Sequence, residues 1–259
     1  MMILLLFVIG VILGSIGGGG GLLIFPALLF INQRSPEDAA LLSMTIVGIA
    51  AISSLISQKI NPLLFLSREL LPFIIGSILF IYVSKWGLVQ ITIEWVKSFG
   101  SAASLHQLLM FLFVPIIAYS GWNTWPGSKK IELANKWNTS SGFLYGSLTG
   151  ALAGLFGAGG GFIIVPVLNQ VAQFPIYKAI QTSLIIIGIN GVFGGVVPSF
   201  INGKIGITEG YFIISTATGA MLGGYWAKRI TTDHLKKGLS IFLITVALFI
   251  FAKELYQIQ

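Results

Sequence analysis

Five long stretches of the chain hold no charged side chain: residues 1–33, 39–58, 98–128, 137–177 and 179–203. A spanning helix needs about 20 largely apolar residues, so each of these runs is long enough to cross a bilayer. Only 9% of the chain is charged and 55% is hydrophobic, where an ordinary soluble domain carries about 25% charge. An all-α polytopic membrane protein is the expected class. The first run lacks a basic leading region and is nearly repeated deep in the chain, so it reads as part of the fold rather than as a targeting signal.

That repetition extends over most of the sequence. A shift of 140 places lays Gly14 on Gly154, Gly17 on Gly157, Gly19 to Gly21 on Gly159 to Gly161, Pro26 on Pro166, Ala39 on Ala179, Ser43 on Ser183 and Gly48 on Gly188. One offset serves all of them, as expected of a duplicated half. The first half is read as 1–119, a polar and aromatic linker as 120–140, and the second half as 141–259. Helices are expected near Ala39 to Ser57, Leu70 to Ser84 and Ala102 to Tyr119. In the second half they fall near Ala179 to Val197, Gly210 to Ala227 and Gly238 to Phe251.

Each half opens on a glycine-rich segment, about 2–32 and 141–173. As one straight helix the first would be about 45 Å long, against a hydrocarbon core of about 30 Å. Consecutive glycines also each cost a helix about 1 kcal/mol relative to alanine. A break at the glycines is expected, with second half-helices starting near Leu22 and Phe162 and with Pro26 and Pro166 near their first turns. If both segments simply cross, Lys and Arg divide seven against eight between the two faces. If both re-enter as hairpins, each half has three full crossings, the halves are inverted, and the same residues divide ten against five. The positive-inside rule favours the second arrangement, with both termini outside.

Broken helices at membrane depth must be buried in protein or line a cavity. Paired inverted repeats with discontinuous helices are a construction of secondary transporters. A half-helix N-terminus offers unpaired amides and a positive dipole end, which suits an anion. The candidate substrate-binding residues are therefore Gly18, Gly19, Gly20 and Gly21 in the first turn and Gly159, Gly160 and Gly161 in the second. Ser43, Thr182, Ser183 and Asn190 join them from the helices that follow, where Ser43, Val47, Ala50, Ser54 and Ser57 form one stripe and Ser183, Ile187 and Asn190 its counterpart. Glycine at helical spacing, as at Gly142, Gly146, Gly150 and Gly154, is instead a helix-packing pattern.

No ionisable residue is expected in the middle of a span. Coupling would then fall to edge groups such as Glu37, Asp38, Lys178 or Glu209, with Arg34 and Lys178 read as solvated loop charges. There is no cysteine, and the two histidines, His106 and His234, stand apart, so neither a metal site nor a cofactor is expected and an enzyme finds no acid–base pair. The net charge of +7 is spread over short loops, which suits lipid headgroups rather than nucleic acid. The expected partners are a small anion and the lipid bilayer, in a bacterial-type inner membrane, with oligomerisation left open.

At these motifs the chain resembles the sulfite exporter TauE/SafE family of membrane transporters. The resemblance rests on GSIGGGGGLLIFPALL and GLFGAGGGFIIVPVL, each followed by an Ala-x-x-x-Ser helix (AALLSM and AIQTSL), and on the late GAMLGGYWAKRI. It covers nearly the whole chain and implies a carrier of sulfite, an organosulfonate or a related small anion. The chain departs from the pattern where Gly76 is followed by SILFIYVSKWG, and in its tryptophan-bearing linker. A passive anion channel and a structural membrane subunit are the alternatives.

Overall fold

The computed structural model describes residues 2–17, 21–61, 67–85, 137–157 and 159–227, together with short stretches within 114–125 and 229–252. Among the described residues the chain is helical throughout, with no strand. Helices α1 (Met2–Ile16) and α2 (Gly21–Phe30) are the two parts of the first glycine segment. Helix α3 (Pro36–Ser57) follows, then α4 (Leu71–Val83). The second glycine segment gives α5 (Thr139–Phe156) and α6 (Gly161–Pro166), the latter prolonged by a π-helical turn, Val167–Val171. Helix α7 (Ile176–Gly191) runs through a π-turn, Val192–Val196, into α8 (Val197–Ile201), and α9 spans Ile207–Ala227. The helix expected near 102–119, the 120–140 linker and Gly18 to Gly20 lie wholly or mostly outside the described residues, whereas every described residue within 238–251 is helical, as expected.

Local chemistry sets the ends. The Ser35 hydroxyl accepts from the Asp38 amide at 3.2 Å and Pro36 follows it, so α3 starts three residues before the expected Ala39. Asn138 and Ser141 cap α5 reciprocally. The prolines correct an expectation: Pro26 and Pro166 are each the sixth residue of a helix rather than members of its first turn. A proline there removes one ladder bond, and past Pro166 the helix continues in the wider π form.

The exterior is apolar, unlike that of a soluble protein, and several polar side chains are buried within an otherwise apolar core. Leu4, Ile75, Leu144, Leu148 and Ile214 are exposed, whereas Ser43, Thr45, Ser54, Ser77, Ser183 and Asn190 are fully buried. Helix α3 from Glu37 to Ser57 and the continuous helix Ile176–Ile201 are long and apolar enough to cross a membrane.

Glycines bring the helices to backbone contact. A Cβ on Gly146 would lie 2.1 Å from the Phe73 carbonyl oxygen, and one on Gly150 2.1 Å from that of Ser77. One on Gly154 would lie 2.9 Å from that of Ile81, so α4 and α5 run parallel in constant register. Helices α1 and α9 are likewise parallel, Gly10 meeting Thr216 and Gly14 meeting Ala220. Helices α3 and α7 are antiparallel, Met44 against Gly194, Gly48 against Gly191 and Ile52 against Gly188. Small residues on such seams let helices approach in lipid, where dispersion rather than water expulsion holds them together.

Candidate functional site

The second glycine turn is the best-defined break. Gly157, Gly159 and Gly160 take φ of 61°, 67° and 78°, a left-handed region in which a side chain is strained. The turn is wedged between α3 and α7. A Cβ on Gly157 would meet the Ala40 carbonyl at 2.2 Å, and one on Gly159 would meet Val47 at 2.8 Å and Ile187 at 3.0 Å. The turn opens a continuous apolar helix from Gly161 to Val171. The helix start is closed by a double acceptor, the amides of Ile163 and Ile164 both donating to the Gly160 carbonyl at 3.0 Å.

Ser43 shares the α3 face defined by Ala40 and Val47, since positions 40, 43 and 47 recur at helical spacing. Both neighbours touch the turn, so Ser43 lies on the helix face that packs against it. It is fully buried and has no hydrogen-bond partner. A buried hydroxyl without a partner costs about 1–3 kcal/mol, so a ligand that accepts from it is favoured.

Its repeat equivalent behaves differently. The Ser183 hydroxyl donates to the Gly17 carbonyl at 2.7 Å and contacts its own Ile180 carbonyl at 2.8 Å. Ser183 therefore holds the end of α1 rather than standing free. Gly17 is at φ 80° and packs on the Ile180 backbone, as Gly157 packs on Ala40. Ser54 adds a second strut, donating to the Gly14 carbonyl at 3.3 Å.

The remaining expected residues divide. Gly21 opens α2 and Gly161 opens α6. Asn190 is bonded across the bundle: its Oδ1 accepts from the Ser77 hydroxyl at 2.8 Å, while its Nδ2 is buried without a partner. It lies on the α7 face of Ile187, one turn from the glycine contact. Thr182 is buried with an unpartnered hydroxyl and sits one position off that face. Sequence reasoning missed Ser77, which faces Asn190 from α4. The small-residue register of α4 against α5 could have found it.

The edge charges are corrected. Arg34 is ion-paired with Glu209, which also accepts from the Gly206 amide at 2.9 Å. Lys204 pairs with Asp38 at 2.6 Å. These bridges tie the loop after α2 and the start of α3 to the segment preceding and opening α9, so Arg34, Asp38 and Glu209 are structural ties and not free solvated charges. Lys178 stacks over Phe174, 4.5 Å from the ring centroid. Lys85, counted with the loop charges, donates to the Gly194 carbonyl inside the helix bundle. Among the described residues no group of acidic, histidine or cysteine side chains could hold a metal.

An all-helical chain with an apolar exterior, two helices long enough to span a bilayer and buried polar side chains among an apolar core has the build of a helical membrane protein. The chain belongs to the sulfite exporter TauE/SafE family, whose model matches residues 2–250. It is 27% identical to a "Probable membrane transporter protein" of Xylella fastidiosa strain Temecula1, over 93% of this chain and 90% of that one. It is 26% identical to "Probable membrane transporter protein YunE" of Bacillus subtilis, over 99% and 98%. A "Probable membrane transporter protein" of Methanocaldococcus jannaschii is 27% identical over 96% and 94%. No solved structure matches the chain. The protein is a membrane transporter and not an enzyme.

Proposed function

We propose that the protein moves a small oxyanion, sulfite or an organosulfonate, across the cell membrane by alternating access between two inverted halves. Backbone amides at the glycine turns hold the anion, and the Ser43 hydroxyl donates to it at the second turn. What supports this reading is a fully buried, unpartnered hydroxyl on the helix face that packs against the left-handed glycines opening an apolar helix. A helix start supplies about half a positive charge, and an oxyanion supplies the missing acceptor.

Helix directions support the inverted arrangement. The 140-residue shift pairs α3 with α7, and these run antiparallel, as an inversion requires and a direct repeat forbids. It also pairs α1 with α5 and α4 with α9. The observed parallel packing of α1 on α9 and of α4 on α5 exchanges one helix of each kind between the halves.

The test is flux into proteoliposomes holding the purified chain. Saturable uptake of sulfite or methanesulfonate, accelerated by the same anion inside and weakened by Ser43→Ala, is the expected result. Unsaturable flux without counter-transport would make the protein a channel. No movement of any sulfur oxyanion would remove the anion reading.

A further inference from the structure

Lys85 follows the end of α4 by two residues, and the sequence places it among loop charges. The packing of α4 on α5 puts it elsewhere. Glu69 faces Gly142, Phe73 faces Gly146, Ser77 faces Gly150 and Ile81 faces Gly154, a constant separation of 73 positions along two parallel helices. Helix α4 ends at Val83 and α5 at Phe156, so in this register the two helices end together, and Lys85 follows two residues later at the end of the pair where the second glycine turn begins. The Ser84 side chain also sits at that end, since a Cβ on Gly154 would meet its hydroxyl at 2.0 Å.

Its ammonium is directed inward. It donates to the carbonyl of Gly194, in the π-turn of the helix that bears Ile187 and Asn190. A Cβ on Gly194 would meet the Met44 side chain at 2.6 Å and Ile81 at 2.8 Å, and one on Gly195 would meet the Thr45 amide nitrogen at 2.5 Å. Met44 and Thr45 directly follow Ser43. The half-buried ammonium therefore lies beside the same stretch of α3 that faces the second glycine turn. A carbonyl is a neutral partner for a charge that is expensive at membrane depth, and intramembrane ionisable side chains usually serve a substrate or ion pathway.

We propose that Lys85 is the counter-charge of the anion seat at the second glycine turn, parked on Gly194 when the seat is empty and selecting ligands by their charge. The inference rests on the anion seat argued above. It adds a full positive charge to a site otherwise made of amides and hydroxyls, so anions are accepted and neutral or zwitterionic sulfur compounds such as taurine are disfavoured. A rival role is mechanical: Lys85 and Tyr82, whose hydroxyl donates to the Phe193 carbonyl at 2.7 Å, both strap α4 to the π-turn.

The two roles separate in calorimetric titration of the full chain in detergent, with sulfate and methanesulfonate as probes. Losing one positive charge near the seat weakens binding about tenfold per ligand charge, so Lys85→Gln should weaken methanesulfonate about tenfold and sulfate about a hundredfold. Lys85→Arg should stay within about threefold of the parent for both, and Tyr82→Phe should keep the parent's ratio of the two affinities. Equal weakening of both probes by Lys85→Gln, no weakening, or the same result from Tyr82→Phe would overturn the proposal. So would failure of both Lys85→Gln and Lys85→Met to fold. If the parent binds neither probe, the seat itself is wrong. If the parent binds and only Lys85→Gln behaves like the parent, the seat stands and the counter-charge falls.

Discussion

Ser43 and Ser183 are related by the 140-residue shift of the sequence, yet the same substitution should move stability in opposite directions. Ser183→Ala removes the donor to the Gly17 carbonyl, a 2.7 Å bond in the buried interior. Hydrogen bonds between membrane helices average about 0.6 kcal/mol and reach about 1.7 kcal/mol, while alanine returns roughly 0.5 kcal/mol of helix propensity. The net cost is up to about 1 kcal/mol. Ser43→Ala deletes a buried hydroxyl that has no partner, recovering about 1 kcal/mol of desolvation cost along with the same propensity gain. The variant should be more stable than the parent by about 1–1.5 kcal/mol, so the pair differ by roughly 2 kcal/mol. Reversible unfolding in mixed micelles, read by tryptophan fluorescence, measures both. The stabilised Ser43→Ala protein should also bind sulfite or methanesulfonate more weakly, as expected where a strained site serves function. Equal destabilisation by the two substitutions would refute the reasoning, because it would mean that Ser43 is as fully bonded as Ser183.

Two further predictions concern packing and the edge ties. A Cβ on Gly191 would sit 2.2 Å from the Gly48 Cα, whereas Gly210 has nothing within 4 Å. Gly191→Ala should therefore cost about 3 kcal/mol by overpacking and Gly210→Ala should gain up to about 1 kcal/mol, both read as unfolding midpoints. Glu209→Gln breaks the bridge to Arg34, whose side chain is partly exposed. It should cost about 1 kcal/mol or less, and the difference from the parent should shrink in 1 M salt.

Much of the architecture was legible because glycine and charge are strongly constrained in a membrane. The break at Gly17 to Gly21 and at Gly157 to Gly161 follows from length and propensity, and the described helices end where the glycines begin. The stripes holding Ser43, Ser183 and Asn190 were visible as helical spacing, and all three side chains are buried. What each polar atom does was not visible. Identical serines at equivalent positions divide into a strut and an unpartnered donor because their environments come from helices far away in sequence. The π-turns after Pro166 and Gly191 also left no readable signal, since a widened turn depends on what packs against it.

Charge patterning failed at Lys85 and at the edge charges for the same reason. A lysine fifteen residues beyond the start of a predicted span looks like the end of that span. Its partner is the Gly194 carbonyl, 109 positions away, a contact that a single helix cannot report. The sequence by itself determined that the chain is a helical membrane protein, where its glycine segments break and which small residues face inward, because burying an unpaired backbone or a charge in hydrocarbon is prohibitive. Only the tertiary structure decided which hydroxyl is left free, which charges are tied to one another and which carbonyl Lys85 reaches, because these depend on contacts between residues over a hundred positions apart.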